Sequence, residues 1–305
     1  MQRRDAMDIR ATIIMLVLCL LWGGNQVAIK LSNAGMAPIF AAAVRSVVAG
    51  ALVALWALAR GRPFLPHGRE WLHGLVIGAL FGAEFGLLYV GLNFTTASHG
   101  ILFLFTAPFF VAAGAHRLIP GEPLTGRKVL GLVLAFAGVA ATLADNLGAP
   151  GERQVIGDLL ILVAGILWAA TSLYLKGVVG ARMTFAQTLF CQLLFSAVML
   201  GALSLVWEPR FIWLRTPGVL GGLFYQSVIV AFASYLVWFW LIQVYPVSLV
   251  SAYTFFTPLF GVLLGRLLGE SLTVKLLLGA ALVTAGMLCV NWPATARPET
   301  SLTPV

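Results

Sequence analysis

The 305 residues are 60% hydrophobic and only 10% charged, with a formal net charge of +8. A soluble domain carries about 25% charged residues, so an ordinary water-solvated fold is excluded. The positive excess sits mostly in short loops between apolar runs and forms no basic face, which excludes nucleic acid as a partner.

The apolar runs are long. Ala11–Ile29, Ile39–Ala59 and Ile101–Ala115 hold at most one formal charge each. About twenty apolar residues at 1.5 Å rise cross a bilayer core of roughly 30 Å, so the chain is expected to be an all-α polytopic membrane protein. Cys19, Cys191 and Cys289 lie inside apolar runs without metal-ligand spacing, and neither a metal site nor a disulfide framework is expected. The N-terminal MQRRDAMDIR is followed by an apolar run with no small-residue cleavage site, which predicts a retained first helix.

Ten spans are predicted, at 11–30, 38–59, 71–91, 98–118, 127–144, 157–176, 184–206, 218–241, 247–267 and 273–291. The first contains LLWGGNQVAIK, with Trp22, Asn25, Gln26 and Lys30. Asn25 lies beside Gly23-Gly24, where a backbone carbonyl can approach a ligand, and is a candidate substrate contact. The second span carries Arg45.

The third span carries Glu84 and Tyr89, with Gly74, Gly78, Gly82 and Gly86 spaced for close helix packing. Glu84 lies two residues from Gly82, about 200° around the helix, so it points away from the glycine stripe. A carboxylate at this depth costs roughly 2.5–3.5 kcal/mol on insertion scales and needs a partner or a cavity. Arg45 and Glu84 are each seven residues from the outer end of their spans, about 10 Å deep. They are expected either to pair structurally or to serve a substrate carboxylate or a proton.

The fourth span begins near His99, read as either a hydrated end residue or part of a proton relay, and contains Pro108. GEPLTGRK precedes the fifth span, but Arg127 holds the lysine position of a phosphate loop, the following Ser/Thr is absent and no strand precedes it, so no nucleotide is expected. Gly131 and Gly138 follow.

The sixth span repeats the first as ILWAATSLYLK, with Trp168 and Lys176 at an offset of 146. Gln187 and Gln192 lie in the seventh span and Gln226 in the eighth, with Gln243 just after it. Aromatic residues, Trp238 and Tyr253 among them, crowd the eighth and ninth spans, and Pro258 echoes Pro108 at an offset of 150. Gly269-Glu270-Ser271-Leu272-Thr273 echoes Gly121-Glu122-Pro123-Leu124-Thr125, and Gly279 and Gly286 echo Gly131 and Gly138, all at 148.

These landmarks predict two repeats, 11–144 and 157–291, with a linker at 145–156 and a cytoplasmic tail at 292–305. Five spans is an odd number, so the second repeat is expected to be inverted, with a substrate site between the halves near the midplane. With the N-terminus inside, twelve Lys and Arg fall on the inner side and six on the outer, which predicts two cytoplasmic termini. Trp22, Tyr89, Trp168, Trp238 and Tyr253 are expected to stack an aromatic ligand. Lys30 and Lys176 either snorkel to headgroups or form matched gates at opposite faces. Pro108 and Pro258 bend their helices, as gating hinges or as fixed bends.

The tryptophan-glycine turn ending in lysine, Pro108, Gly-Glu-x-Leu-Thr and the glycine-spaced fifth span resemble the EamA domain of the drug/metabolite transporter superfamily. Within it the chain is most similar to YddG-type bacterial exporters of aromatic amino acids. The resemblance covers nearly the whole chain. It implies ten helices, alternating access and efflux of small metabolites, aromatic or other hydrophobic amino acids first, across the bacterial inner membrane. Drugs or nucleotide- or sugar-type metabolites are the alternative cargo, and a membrane-embedded transferase is a distant alternative. The expected partners are a small-molecule substrate and the bilayer. No cofactor is expected, and the chain is read as a monomer.

Overall fold

A computed structural model describes residues 7–143, 151–180, 182–208, 214–267 and 274–291. Every regular element among them is helical. In chain order these are α1 (Ile9–Gly23), α2 (Asn25–Asn33), α3 (Pro38–Ala59), α4 (Glu70–Gly91), α5 (Ala97–Leu104), α6 (Ala107–Leu118), α7 (Gly126–Leu143), α8 (Glu152–Tyr174), α9 (Phe185–Trp207), α10 (Pro217–Phe224), α11 (Tyr235–Val244), α12 (Val247–Tyr253), α13 (Phe256–Leu267) and α14 (Val274–Asn291). A π-helical turn, Leu175–Val179, extends α8, and a longer one, Tyr225–Ser234, joins α10 to α11.

Seven stretches are long and apolar enough to cross a membrane: Ile9–Asn33, Pro38–Ala59, Glu70–Gly91, His99–Leu118, Glu152–Val179, Phe185–Trp207 and Pro217–Val244. The expected spans 127–144, 247–267 and 273–291 correspond to shorter helices among the described residues. The Gly269–Thr273 echo, most of the linker and the tail lie outside the described residues. Leu55, Leu58, Val198 and Leu205 are exposed on the outward faces of α3 and α9. Apolar side chains in such a position need lipid rather than water.

Local chemistry sets the helix ends. The Asp8 carboxylate accepts from Ala11 N at 2.8 Å and caps α1. Thr184 and Gln187 form a reciprocal capping box on α9. Proline opens α3, α6 and α10, where its missing N–H costs nothing. Pro108 cannot donate to Leu104 O, and the helix breaks between α5 and α6. Pro258 likewise cannot donate to Thr254 O, and a break separates α12 from α13.

The two breaks share one construction. Thr106 Oγ1 donates to Phe103 O and Thr254 Oγ1 to Ser251 O, both at 2.6 Å. The threonines are 148 residues apart and superpose the repeats better than the prolines do.

Equivalent helices of the two halves meet antiparallel. On α7 and α14, Gly131 faces Gly286 and Gly138 faces Gly279. A Cβ on Gly286 would lie 2.4 Å from Gly131 O, so only glycine permits this approach. On α3 and α9, Ser196 Oγ donates to Ser46 Oγ at 3.1 Å. The α4 glycines seat Cys191, Phe195, Met199 and Leu200 of α9, which leaves the opposite side of α4 for the centre of the protein.

Candidate substrate cavity

At the centre lies a cavity of about 70 Å³ walled by α1, α2, α4, α5, α8, α9, α11 and the two π-helical segments. Trp22, Trp168, Trp238, Tyr235, Phe81 and Phe85 supply much of its wall. Trp238 stands between the two repeated tryptophans, with ring centroids 5.1 Å from Trp22 and 6.2 Å from Trp168. The Trp22 indole is fixed by donation to Ser234 Oγ at 2.7 Å. Tyr225, at the other end of the same π-helical segment, donates to Leu21 O beside the Gly23-Gly24 break.

The polar wall consists of Glu84, Asn25, Gln192, Thr171 and Ser172. Glu84 is 5% exposed, and its Oε2 has no hydrogen-bond partner. Asn25 Oδ1 and Gln192 Oε1 are also buried without a donor. Three unpaired acceptors in one buried space, one of them on a carboxylate, are costly unless something fills the space.

Of the two alternatives for Arg45 and Glu84, the structural pair is not made: no hydrogen bond joins them. Arg45 is 1% exposed, and Nε, Nη1 and Nη2 all lack a hydrogen-bond partner. Its guanidinium instead lies over the Phe85 ring, 3.8 Å from the centroid, with Phe81 and Tyr235 at 5.2 and 5.8 Å. Equal depth set the two charges at one height but did not aim them at each other. Stacking on aromatic faces replaces part of the lost hydration of Arg45.

The remaining expected residues lie around this centre. Tyr89 is fully buried outside the lining and donates to Gln226 Oε1. Tyr253 is also outside the lining, with its hydroxyl 3.0 Å from Thr12 Oγ1. Pro108 and Pro258 mark the helix breaks. Lys176 does not snorkel. It is 5% exposed and donates to Ile242 O at 2.8 Å and Tyr245 O at 2.6 Å, across the C-terminal end of α11. Lys30, its repeat mate, is exposed and reaches Thr95 O at 3.4 Å. The lysines lie at opposite ends of α4, since Thr95 follows that helix and His73 near its start is 2.8 Å from Tyr174 OH.

His99 is not a hydrated end residue. It is buried, with Nδ1 2.9 Å from Asp158 Oδ2, while Thr95 Oγ1 donates to Asp158 Oδ1 at 2.6 Å. The cluster ties α5 of the first half to α8 of the second. Asp158 had one sequence signal: it lies one residue inside the sixth expected span, as His99 does in the fourth, at the same membrane face.

That face is tightly closed. Gln226 Nε2 donates to Ala28 O at 2.9 Å and Ser32 Oγ at 2.7 Å. A Cβ on Gly222 would meet Ala28 O at 2.6 Å. Glu208 caps α3 through Ile39 N at 2.8 Å and Phe40 N at 2.9 Å.

The opposite face holds a second void of about 480 Å³, lined by Arg62, Lys176, Met183 and Gln243 among others. Leu175 lines both spaces and is their shared wall. Glu122 clamps α12 on this face through Val247 N at 3.0 Å and Ser248 N at 2.9 Å. Among the described residues no cluster of His, Cys, Asp or Glu is arranged for a metal ion.

Paired antiparallel repeats, lipid-facing apolar surfaces and a buried aromatic cavity between the halves define a multi-pass membrane protein of the transporter class. The family model for the EamA-like transporter family matches residues 9–144 and 155–292, and the chain belongs to that family. It is 30% identical to the uncharacterized transporter YvbV of Bacillus subtilis, over 96% of this chain and 95% of that one. It is 26% identical to a probable amino-acid metabolite efflux pump of Escherichia coli, over 94% of each chain. A solved crystal structure shares the fold with a TM-score of 0.78 at 21% identity, covering 93% of this chain and 96% of that one.

Proposed function

We propose that this protein exports small amphipathic metabolites by alternating access, with aromatic or other hydrophobic amino acids as its first substrates. It does so as a monomer of ten transmembrane helices in two inverted repeats, without a cofactor, in the bacterial inner membrane with both termini cytoplasmic. The observation that carries this reading is the central cavity, whose lining combines Trp22, Trp168 and Trp238 with Glu84, Asn25 and Gln192, each of which has an unpaired acceptor. Aromatic faces suit an aromatic or aliphatic side chain, and buried polar atoms suit its charged head. The efflux-pump relative supports an amino acid as cargo. A phosphate-bearing cargo calls for several cationic groups, and the cavity lining contains no Lys or Arg.

The contracted cavity fits the same mechanism. Its 70 Å³ is room for a few waters, against ~300–1,000 Å³ for a typical ligand site. Its walls separate to admit cargo, and the second void puts entry on the Lys176 face. The charge count supports a cytoplasmic assignment for that face, and on this reading the closed cavity and open void correspond to an inward-facing, nearly occluded state.

The test is flux in proteoliposomes with labelled tryptophan, phenylalanine, threonine and a cationic dye. Saturable flux of tryptophan and phenylalanine above threonine is expected. Absence of saturable flux for any amino acid overturns the assignment. A gradient response that is unchanged by Glu84→Gln removes Glu84 from proton coupling.

A further inference from the structure

Arg45 and Glu84 are oppositely ionisable groups buried beside one central space, and no hydrogen bond joins them. We propose that the gap between them is a site for a zwitterion, with the ammonium held by Glu84, Asn25 and Gln192 and the carboxylate by Arg45 once Phe85 moves aside. The proposal rests on the amino-acid reading above and adds the polarity of binding.

The acceptors for the ammonium are present among the lining residues. Glu84 Oε2, Asn25 Oδ1 and Gln192 Oε1 are buried, unbonded and carried by residues that line the cavity. A primary ammonium has three N–H donors and no acceptor, which matches three acceptors. Water alone is a poorer match, because it has two donors and carries no charge to offset the carboxylate.

The carboxylate end is covered. Arg45 itself does not line the cavity, but Phe81, Phe85 and Tyr235, whose rings surround its guanidinium, all do. These rings, Phe85 nearest at 3.8 Å, separate the cavity from a guanidinium whose nitrogens make no hydrogen bond of good geometry. Rotation of Phe85 lets a carboxylate replace the ring face with charge-assisted hydrogen bonds, which are stronger. The same rotation enlarges a cavity that is too small for an amino acid. Ligand polarity and cavity opening are thus linked through one side chain.

The experiment uses tryptophan counterflow in proteoliposomes of the full chain. The competitors are tryptamine, which has only the ammonium, indole-3-propionate, which has only the carboxylate, and indole, which has neither. In the wild type, tryptophan should compete best, and tryptamine and indole-3-propionate should each compete at least tenfold better than indole. Glu84→Gln should weaken tryptamine tenfold or more and leave indole-3-propionate within twofold. Arg45→Gln should do the reverse.

Tryptamine or indole-3-propionate competing no better than indole in the wild type overturns the proposal, even if neither variant folds. So does equal weakening of both competitors by both variants. If the wild type shows no saturable tryptophan flux, the amino-acid reading falls and the proposal falls with it.

Discussion

Lys30 and Lys176 occupy the same place in the two repeats, yet they should contribute very unequally to stability. Lys176 is buried and makes two short charged hydrogen bonds to carbonyls at the end of α11, at 2.8 and 2.6 Å. A hydrogen bond to a charged group contributes about 1.5–3 kcal/mol net. Two at the lower figure give about 3 kcal/mol. The lower figure applies because removing a buried ammonium also removes its desolvation cost. Lys30 is exposed, and its bond to Thr95 O is 3.4 Å long. A bond this long is worth at most about 0.5–1 kcal/mol.

Methionine keeps the stem of each lysine and removes the charge. Lys176→Met should therefore cost about 2 kcal/mol more than Lys30→Met, roughly thirtyfold in the unfolding equilibrium. Equilibrium unfolding of both variants in the same mixed micelles, followed by circular dichroism, measures the difference. Equal losses, or a larger loss for Lys30→Met, would refute the assignment of Lys176 as a buried helix-end clamp.

Other predictions follow from particular contacts. Gly286→Ala pushes a Cβ against Gly131 O and Ala135 N, both backbone atoms, and should destabilise by about 1–3 kcal/mol in the same assay. Gly201→Ala meets nothing within 4 Å inside α9 and should be neutral or stabilising by up to about 1 kcal/mol. A double-mutant cycle of His99→Ala and Asp158→Ala should give a coupling of about 0.5–3 kcal/mol, and strict additivity would show that the pair does not tie the halves together. Glu208→Ala removes the cap on α3 and should raise labelling at Ser32→Cys from the sealed face; unchanged labelling would mean that other contacts hold that face shut.

Duplication made much of this protein legible in the sequence. Trp22 and Trp168 were paired by their offset, and they flank one ring, Trp238, in the structure. Gly131, Gly138, Gly279 and Gly286 were paired in the same way, and they form the seam between α7 and α14. Glu84 stood out because a carboxylate in lipid is costly, and the glycine stripe gave its direction.

What stayed hidden depends on azimuth, hydrogen-bond register or conformational state. Residue counting set Arg45 and Glu84 at the same depth but could not give the angle around each helix. Phe81 and Phe85 carry no signal that separates a cavity wall from ordinary membrane packing. The π-helical segment Tyr225–Ser234 is a change of hydrogen-bond register, which no residue pattern announces. Under the proposed alternating access, which face is closed depends on a small energy difference between two packings of the same residues.

The most direct test of the cavity as the substrate site is occupancy. Thr171 lines the cavity. In a chain whose three cysteines are replaced by alanine, Thr171→Cys can be reacted with a small thiol reagent in proteoliposomes. The account predicts slow labelling that saturating tryptophan suppresses and threonine does not. Labelling at the same rate with and without tryptophan, while the variant still transports it, would contradict the placement of the substrate among Trp22, Trp168 and Trp238.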